Sequence, residues 1–323
     1  MQINEIVSSN RTFIMGCGMG AILLFHQPFF SDNLLTGFFH IFGHWGVDLF
    51  LFISGMGIVN SLSKNTLKQY YTNRIIRIIP SCLIVGFCKV LLMHWGFVEF
   101  VHENTLLTLT NCYLWYIYAI LIYYIISPFL FKEIQKYGIL VLVGVSLLSI
   151  SCMFVPFYNN SFYFINKMGW VIERLPVFVY GMYFSCYSIK KEKNEYFKIG
   201  FISLLICFIL RICVVYLDWS INSIIYILLL LSMPTLCVIS SFFYIVLKRL
   251  KGDILFKYLG RYSLEIYLWQ EFVFYNMSSN QLFLYNGKWF QFLISLALIL
   301  TLSYLTFFLK EVLFRTVKSI YKK

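Results

Sequence analysis

The chain has 323 residues, 60% of them hydrophobic and only 12% charged, with a net charge of +12 and a mean hydropathy of +0.77. Soluble domains carry about a quarter charged residues, so this composition excludes an ordinary soluble enzyme and points to an all-α, polytopic membrane protein. No polar stretch is long enough to fold separately, and a single membrane domain over 1–323 is expected with nothing appended.

A helix needs about 20 apolar residues to cross the hydrocarbon core. Ten segments qualify: about 12–31, 37–60, 78–94, 113–131, 138–157, 170–189, 199–217, 222–247, 262–278 and 289–309. Most of the 26 basic residues fall in alternate connections and at the two ends. The positive-inside rule then places that side, and both termini, in the cytoplasm. The positive charge is thereby a topology signal and calls for no nucleic-acid partner; anionic inner-leaflet lipid is sufficient. The nine cysteines are odd in number and lack paired spacing, so neither a zinc site nor a redox pair is expected.

Polar residues inside spans are costly and tend to mark sites. Span one carries His26 about 21 Å beyond its cytoplasmic entry at 1.5 Å per residue, in the outer half of the membrane. Span two runs back through "HWGVDLFLFISG", where His40, His44 and Asp48 recur every four residues and stack on one face. A polar outer pocket shared by the two spans is expected. Two other readings fit the same residues: a structural Asp48–His44 hydrogen bond, or a zinc-compatible His40–His44 pair for which no third ligand appears at a motif-like spacing. Gly43, Gly46, Gly55 and Gly57 leave smooth patches for close helix packing.

Span three opens on "NRIIRIIP". Arg74 and Arg77 share a face there, and paired guanidiniums can grip a phosphate bidentately; positive-inside anchoring is the plainer reading of either arginine alone. Trp115 and Tyr116 open span four at the outer interface, and Glu173 and Arg174 sit at the outer end of span six. Lys89 and Arg211 lie in outer halves and can snorkel. Span nine is weakened by Glu265, Gln270 and Glu271.

Taken in order, "LLFHQPF", "GVDLFLFISG", "NRIIRIIP", "LWYIYAILIYYIISP", "RLPVFVYGM" and "LGRYSLEIYLWQEF" resemble the integral-membrane acyltransferase 3 family. Its members acetylate bacterial O-antigen, exopolysaccharide and related glycans. The resemblance runs from span one to span nine. It implies an O-acetyltransferase of the bacterial inner membrane, with acyl-CoA (acetyl-CoA) as co-substrate, no permanently bound cofactor, and a glycan or lipid-linked saccharide as acceptor. By position it implies His26 as the essential histidine, Arg74 and Arg77 as the acyl-CoA pair, and Asp48 as the second-helix aspartate. Trp115, Tyr116, Glu173 and Arg174 fall in the pocket region. On this reading Asp48, directly or through His44, supports the His26 imidazole. Two positions depart from the pattern: Met15 stands where an arginine is common, with Arg11 nearby but out of register, and Gln270 stands where a histidine is common. The rival reading is a transporter or flippase for a glycan or organic acid, although no repeated halves of the kind many transporters show are visible.

Overall fold

The computed structural model describes residues 3–30, 34–93, 115–154, 163–187, 222–249, 252–279 and 287–320, with isolated positions between 198 and 209. Among the described residues the chain is helical throughout, with no strand. In chain order the helices are α1 (Ile3–His26), α2 (Leu34–Lys64), α3 (Leu67–Met93), α4 (Trp115–Tyr137), α5 (Ile139–Phe154), α6 (Tyr163–Tyr187), α7 (Asn222–Arg249), α8 (Asp253–Arg261), α9 (Ser263–Ser279) and α10 (Lys288–Ile320). Four of them contain stretches long and apolar enough to cross a membrane: Trp45–Lys64, Leu67–Leu92, Trp115–Tyr137 and Lys288–Thr316. Ile139–Cys152 is apolar but shorter. The expected seventh span, 199–217, lies mostly outside the described residues.

The surface is inverted relative to a soluble protein. Phe87, Leu91, Ile125, Phe129, Leu140, Phe242 and Trp289 are more than half exposed, whereas Asp48, Glu265 and Gln270 are almost fully enclosed. So wide an apolar exterior is the kind that lipid or another apolar partner covers.

Two helix ends matter for the site. Pro28 lacks an amide hydrogen and disfavours helix in the residue before it. Gln27 completes the turn, its Oε1 accepting from the backbone amides of Phe29 at 2.9 Å and Phe30 at 3.0 Å. His26 is thereby the last residue of α1. At the start of α3, Thr66 and Gln69 form a reciprocal capping box: the Gln69 amide donates to Thr66 Oγ1 and the Thr66 amide to Gln69 Oε1. The helix therefore begins eleven residues before the predicted span, and Arg74 and Arg77 lie within its second and third turns.

Glycines set the closest approaches. A Cβ on Gly55 would strike the Phe178 carbonyl, and one on Gly181 would strike that of Phe52, so α2 and α6 meet backbone to backbone. Gly16 and Gly260 bring α1 and α8 together in the same way. Gly181→Val is expected to destabilise the fold by about 1–3 kcal/mol or more through overpacking. Thermal unfolding in detergent would show it as a lowered midpoint. An unchanged midpoint would mean that the two helices can part without cost.

A buried polar tie joins three helices. Lys310 Nζ (α10) lies 2.6 Å from Glu265 Oε1 (α9) and 3.0 Å from Ser81 Oγ (α3), and Ser81 donates to Glu265 at 2.8 Å. One turn along α9, Trp269 Nε1 donates to Thr306 Oγ1 of α10 at 2.9 Å. These bonds fix the rotation of α9, and with it the direction of its other polar side chains.

Candidate active site

His26 faces a carboxylate, and that carboxylate is Glu271 of α9. His26 Nδ1 lies 3.2 Å from Glu271 Oε1, with the two side chains 26% and 23% exposed, so the pair remains reachable from outside. A neutral imidazole that donates from Nδ1 to Glu271 keeps Nε2 as a free acceptor. Phe25 holds the ring edge-on, with centroids 4.9 Å apart. Among the described residues, Glu271 Oε2, Gln27 Nε2 and both amide atoms of Gln270, each from a residue next in sequence to the pair or part of it, are buried without a hydrogen-bond partner. Buried polar atoms are rarely left so, and a group of them marks a place where a polar ligand would complete the bonding.

Asp48 is engaged elsewhere. It is fully buried and takes a hydrogen bond and ion pair from Arg174 of α6. Tyr123 of α4 donates to the Val171 carbonyl alongside, and Ser149 donates to the Glu173 carbonyl at 3.3 Å. Asp48 and Arg174 therefore tie α2 to α6, and the Glu173 carbonyl ties α6 to α5. Beside His26 the described carboxylate is Glu271 rather than Asp48, because the glycine contacts turn the Asp48 face of α2 toward α6; the expected route through His44 rests on a side chain outside the described residues. The side chains of His40 and His44 lie outside the described residues, as does Arg211. Lys89 is buried, 5.7 Å from the Phe272 ring centroid.

A narrow, mostly apolar cavity of about 50 Å³ lies along α1, lined by residues that precede His26 on that helix. Met15, Met19 and Ile22 form its α1 wall, and Val47, Phe50, Ile78, Ile120 and Leu264 supply further apolar lining. Tyr116, Tyr124, Tyr267, Ser54 and Ser263 bring hydroxyls, and Arg77 is the charged residue of the lining. Met15, Met19, Ile22 and His26 are spaced by four, three and four residues, which keeps them on one face of α1. The lining thus follows α1 from the level of Arg77 toward His26. Tyr116 is fixed in the wall against Tyr267 at 5.4 Å and Phe50 at 6.3 Å, with Trp115 edge-on behind it at 6.3 Å.

Arg74 stands beside the arginine end. Its guanidinium lies 5.0 Å from the Tyr124 ring centroid and 5.4 Å from that of Tyr70, and its Nε is buried without a hydrogen-bond partner. Tyr70 is held by Ser127 at 2.6 Å, which stitches α3 to α4 and gives Arg74 a rigid aromatic seat. Two guanidiniums with no carboxylate partner among the described residues, at one end of an apolar cavity, suit an anionic head on an uncharged arm.

Compared with known families, residues 13–308 match acyltransferase 3, described as an acyltransferase domain. The chain belongs to that family. No curated protein and no solved structure matches it significantly. An acyltransferase 3 protein uses an acyl donor and an acceptor, and with its apolar helices this chain is a multi-pass membrane protein. Among the described residues no cluster of three or more His, Cys, Asp or Glu side chains could hold a metal ion.

Sequence reasoning passed over Glu271 as a site residue. Its signal was present: a carboxylate inside an otherwise apolar segment, noted only as a weakness of span nine. Which of the three polar residues there would face His26 depends on the rotation of α9, and the contacts with α10 set that.

Proposed function

We propose that this acyltransferase moves an acyl group, acetyl in the first instance, from cytoplasmic acyl-CoA to a hydroxyl of a cell-surface or lipid-linked glycan. The observation that carries the reading is the apolar cavity with Arg77 at one end, whose α1 wall continues to the His26–Glu271 pair. Arg74 and Arg77 bind the CoA phosphates, and the pantetheine arm lies along Met15, Met19 and Ile22. The acceptor hydroxyl oxygen attacks the thioester carbonyl carbon while its proton passes to His26 Nε2. The carbon–sulfur bond breaks, and the CoA thiolate takes that proton as it leaves. Glu271 holds the imidazole in the tautomer with a free Nε2 and stabilises the imidazolium, the part a carboxylate plays in hydrolase triads. The unpaired amide atoms of Gln27 and Gln270 receive the sugar hydroxyls. The protein is read as a single ten-span domain of the bacterial inner membrane with both termini cytoplasmic. The transport reading is set aside because the chain is an acyltransferase family member.

Membranes carrying the wild-type protein, given radiolabelled acetyl-CoA and the host's surface glycan, should place label in the glycan. The Arg74→Ala, Arg77→Ala double variant should lose about 10²-fold in acetyl-CoA affinity, since a hydrogen bond to a charged group contributes about 1.5–3 kcal/mol. If purified double variant is protected by acetyl-CoA against unfolding as well as wild type is, the donor assignment fails.

A further inference from the structure

A third arginine lies on α1 itself, just before Met15, the first α1 residue of the cavity lining. Arg11 is one helical turn before Met15, so Arg11, Met15, Met19, Ile22 and His26 fall within an arc of about 80° at 100° per residue. The α1 face that walls the cavity therefore has a cation at its inner end and the histidine at its outer end, about 22 Å apart along the axis. Arg11 is partly buried. Gly57 of α2 makes room for it: a Cβ there would come within 3.1 Å of Arg11 Nη1. Arg77, Arg74 and the phenol groups of Tyr124 and Tyr116 all lie near enough to act on Arg11 electrostatically, which groups it with the cavity's arginine end. Among the described residues none of the three arginines has a carboxylate within ion-pairing distance. Like charges gathered without counter-charges repel, and an arrangement of this kind is relieved when an anion binds between them.

We infer that Arg11 is a third phosphate-binding residue of the donor site, gripping the diphosphate to which the pantetheine arm is attached. This rests on the acyl-CoA reading above and sharpens it. The arm enters the cavity, so the phosphates covalently nearest the arm sit at the cavity's base. Arg11 is the cation in line with the α1 wall there. The 3′-phosphate, further from the arm, falls to the other arginines. With Met15 apolar at the next turn, the cavity wall carries no charge between this clasp and His26, which suits the uncharged pantetheine.

The test uses purified full-length protein in nanodiscs and measures affinity for CoA, 3′-dephospho-CoA and pantetheine. Wild type is compared with Arg11→Gln, Arg11→Lys and Arg77→Gln. Arg11→Gln is expected to weaken CoA and 3′-dephospho-CoA by the same factor, roughly 10- to 100-fold, and to leave pantetheine unchanged. Arg11→Lys is expected to restore part of the loss, which a misfolded variant would not do. Wild-type CoA affinity in Arg11→Gln, with loss in Arg77→Gln, would overturn the role of Arg11 and leave the donor reading standing. A loss seen with CoA but absent with 3′-dephospho-CoA would overturn the diphosphate assignment, as would an equal loss with pantetheine. No CoA binding by folded wild-type protein would overturn both readings together.

Discussion

Membranes carrying His26→Ala are expected to transfer acyl label to glycan about 10²–10⁴-fold more slowly than wild type at equal protein abundance, the usual worth of a positioned general base. The expectation follows from three features. His26 ends α1, where Gln27 and Pro28 turn the chain away and leave the imidazole partly exposed. Glu271 occupies Nδ1, so the free nitrogen is the one that can accept a hydroxyl proton. The apolar lining of the cavity, Met15, Met19 and Ile22, lies on the same face of α1 as His26. Acetyl-CoA affinity should change little, because the proposed donor-binding arginines group around Arg11, about four turns from His26 along α1. Glu271→Gln should show a smaller loss at unchanged donor affinity. Retention of full transfer by His26→Ala would remove the histidine from the chemistry, whatever the fate of the donor site.

Lys310→Met is expected to destabilise the fold by about 3–5 kcal/mol, because it strands the Glu265 carboxylate in a buried setting without its counter-charge. Glu265 is 2% exposed, and its described partners are Lys310 and Ser81. Replacing both ends, as in Lys310→Met with Glu265→Leu, should recover most of that loss, since neither charge then needs solvation. Thermal unfolding of all four proteins in the same detergent gives the coupling term directly. Single variants as stable as wild type would mean that water reaches the pair. Transfer activity adds a second reading of the same set. Glu265 and Glu271 share α9, and Ser81 shares α3 with Arg74 and Arg77, so loosening the tie should disturb both ends of the site. The double variant should regain stability before it regains activity, because apolar side chains restore packing without fixing the rotation of α9.

Much of the site was legible one residue at a time. His26 stood out as an ionisable group deep in an apolar segment, and Arg74 with Arg77 as a pair on one helix face. The capping box at Thr66 and Gln69 was also written in the sequence, as a Thr-x-x-Gln spacing, but the third span was placed by hydropathy alone and began too late. The partners of the singled-out residues were harder to read. Asp48 looked like the natural support for His26, yet it pairs with Arg174, and Glu271 takes the place beside the imidazole. Arg11 looked out of register as a linear position, while on the helix surface it lies one turn below Met15 on the cavity face.

The sequence by itself determined the class of the molecule, because lipid-facing helices must be apolar along their length and that demand is met locally, residue by residue. It determined the family for a similar reason, since six short motifs in fixed order survive without knowledge of their contacts. Only the tertiary structure decided which charge meets which. Pairing depends on how each helix is rotated about its axis, and rotation is set by distant contacts: Gly55 against Phe178, Gly181 against Phe52, and Lys310 against Glu265. A turn of 100° per residue separates a carboxylate that faces a histidine from one that faces a neighbouring helix. Local sequence carries no information of that resolution, and the packed bundle does.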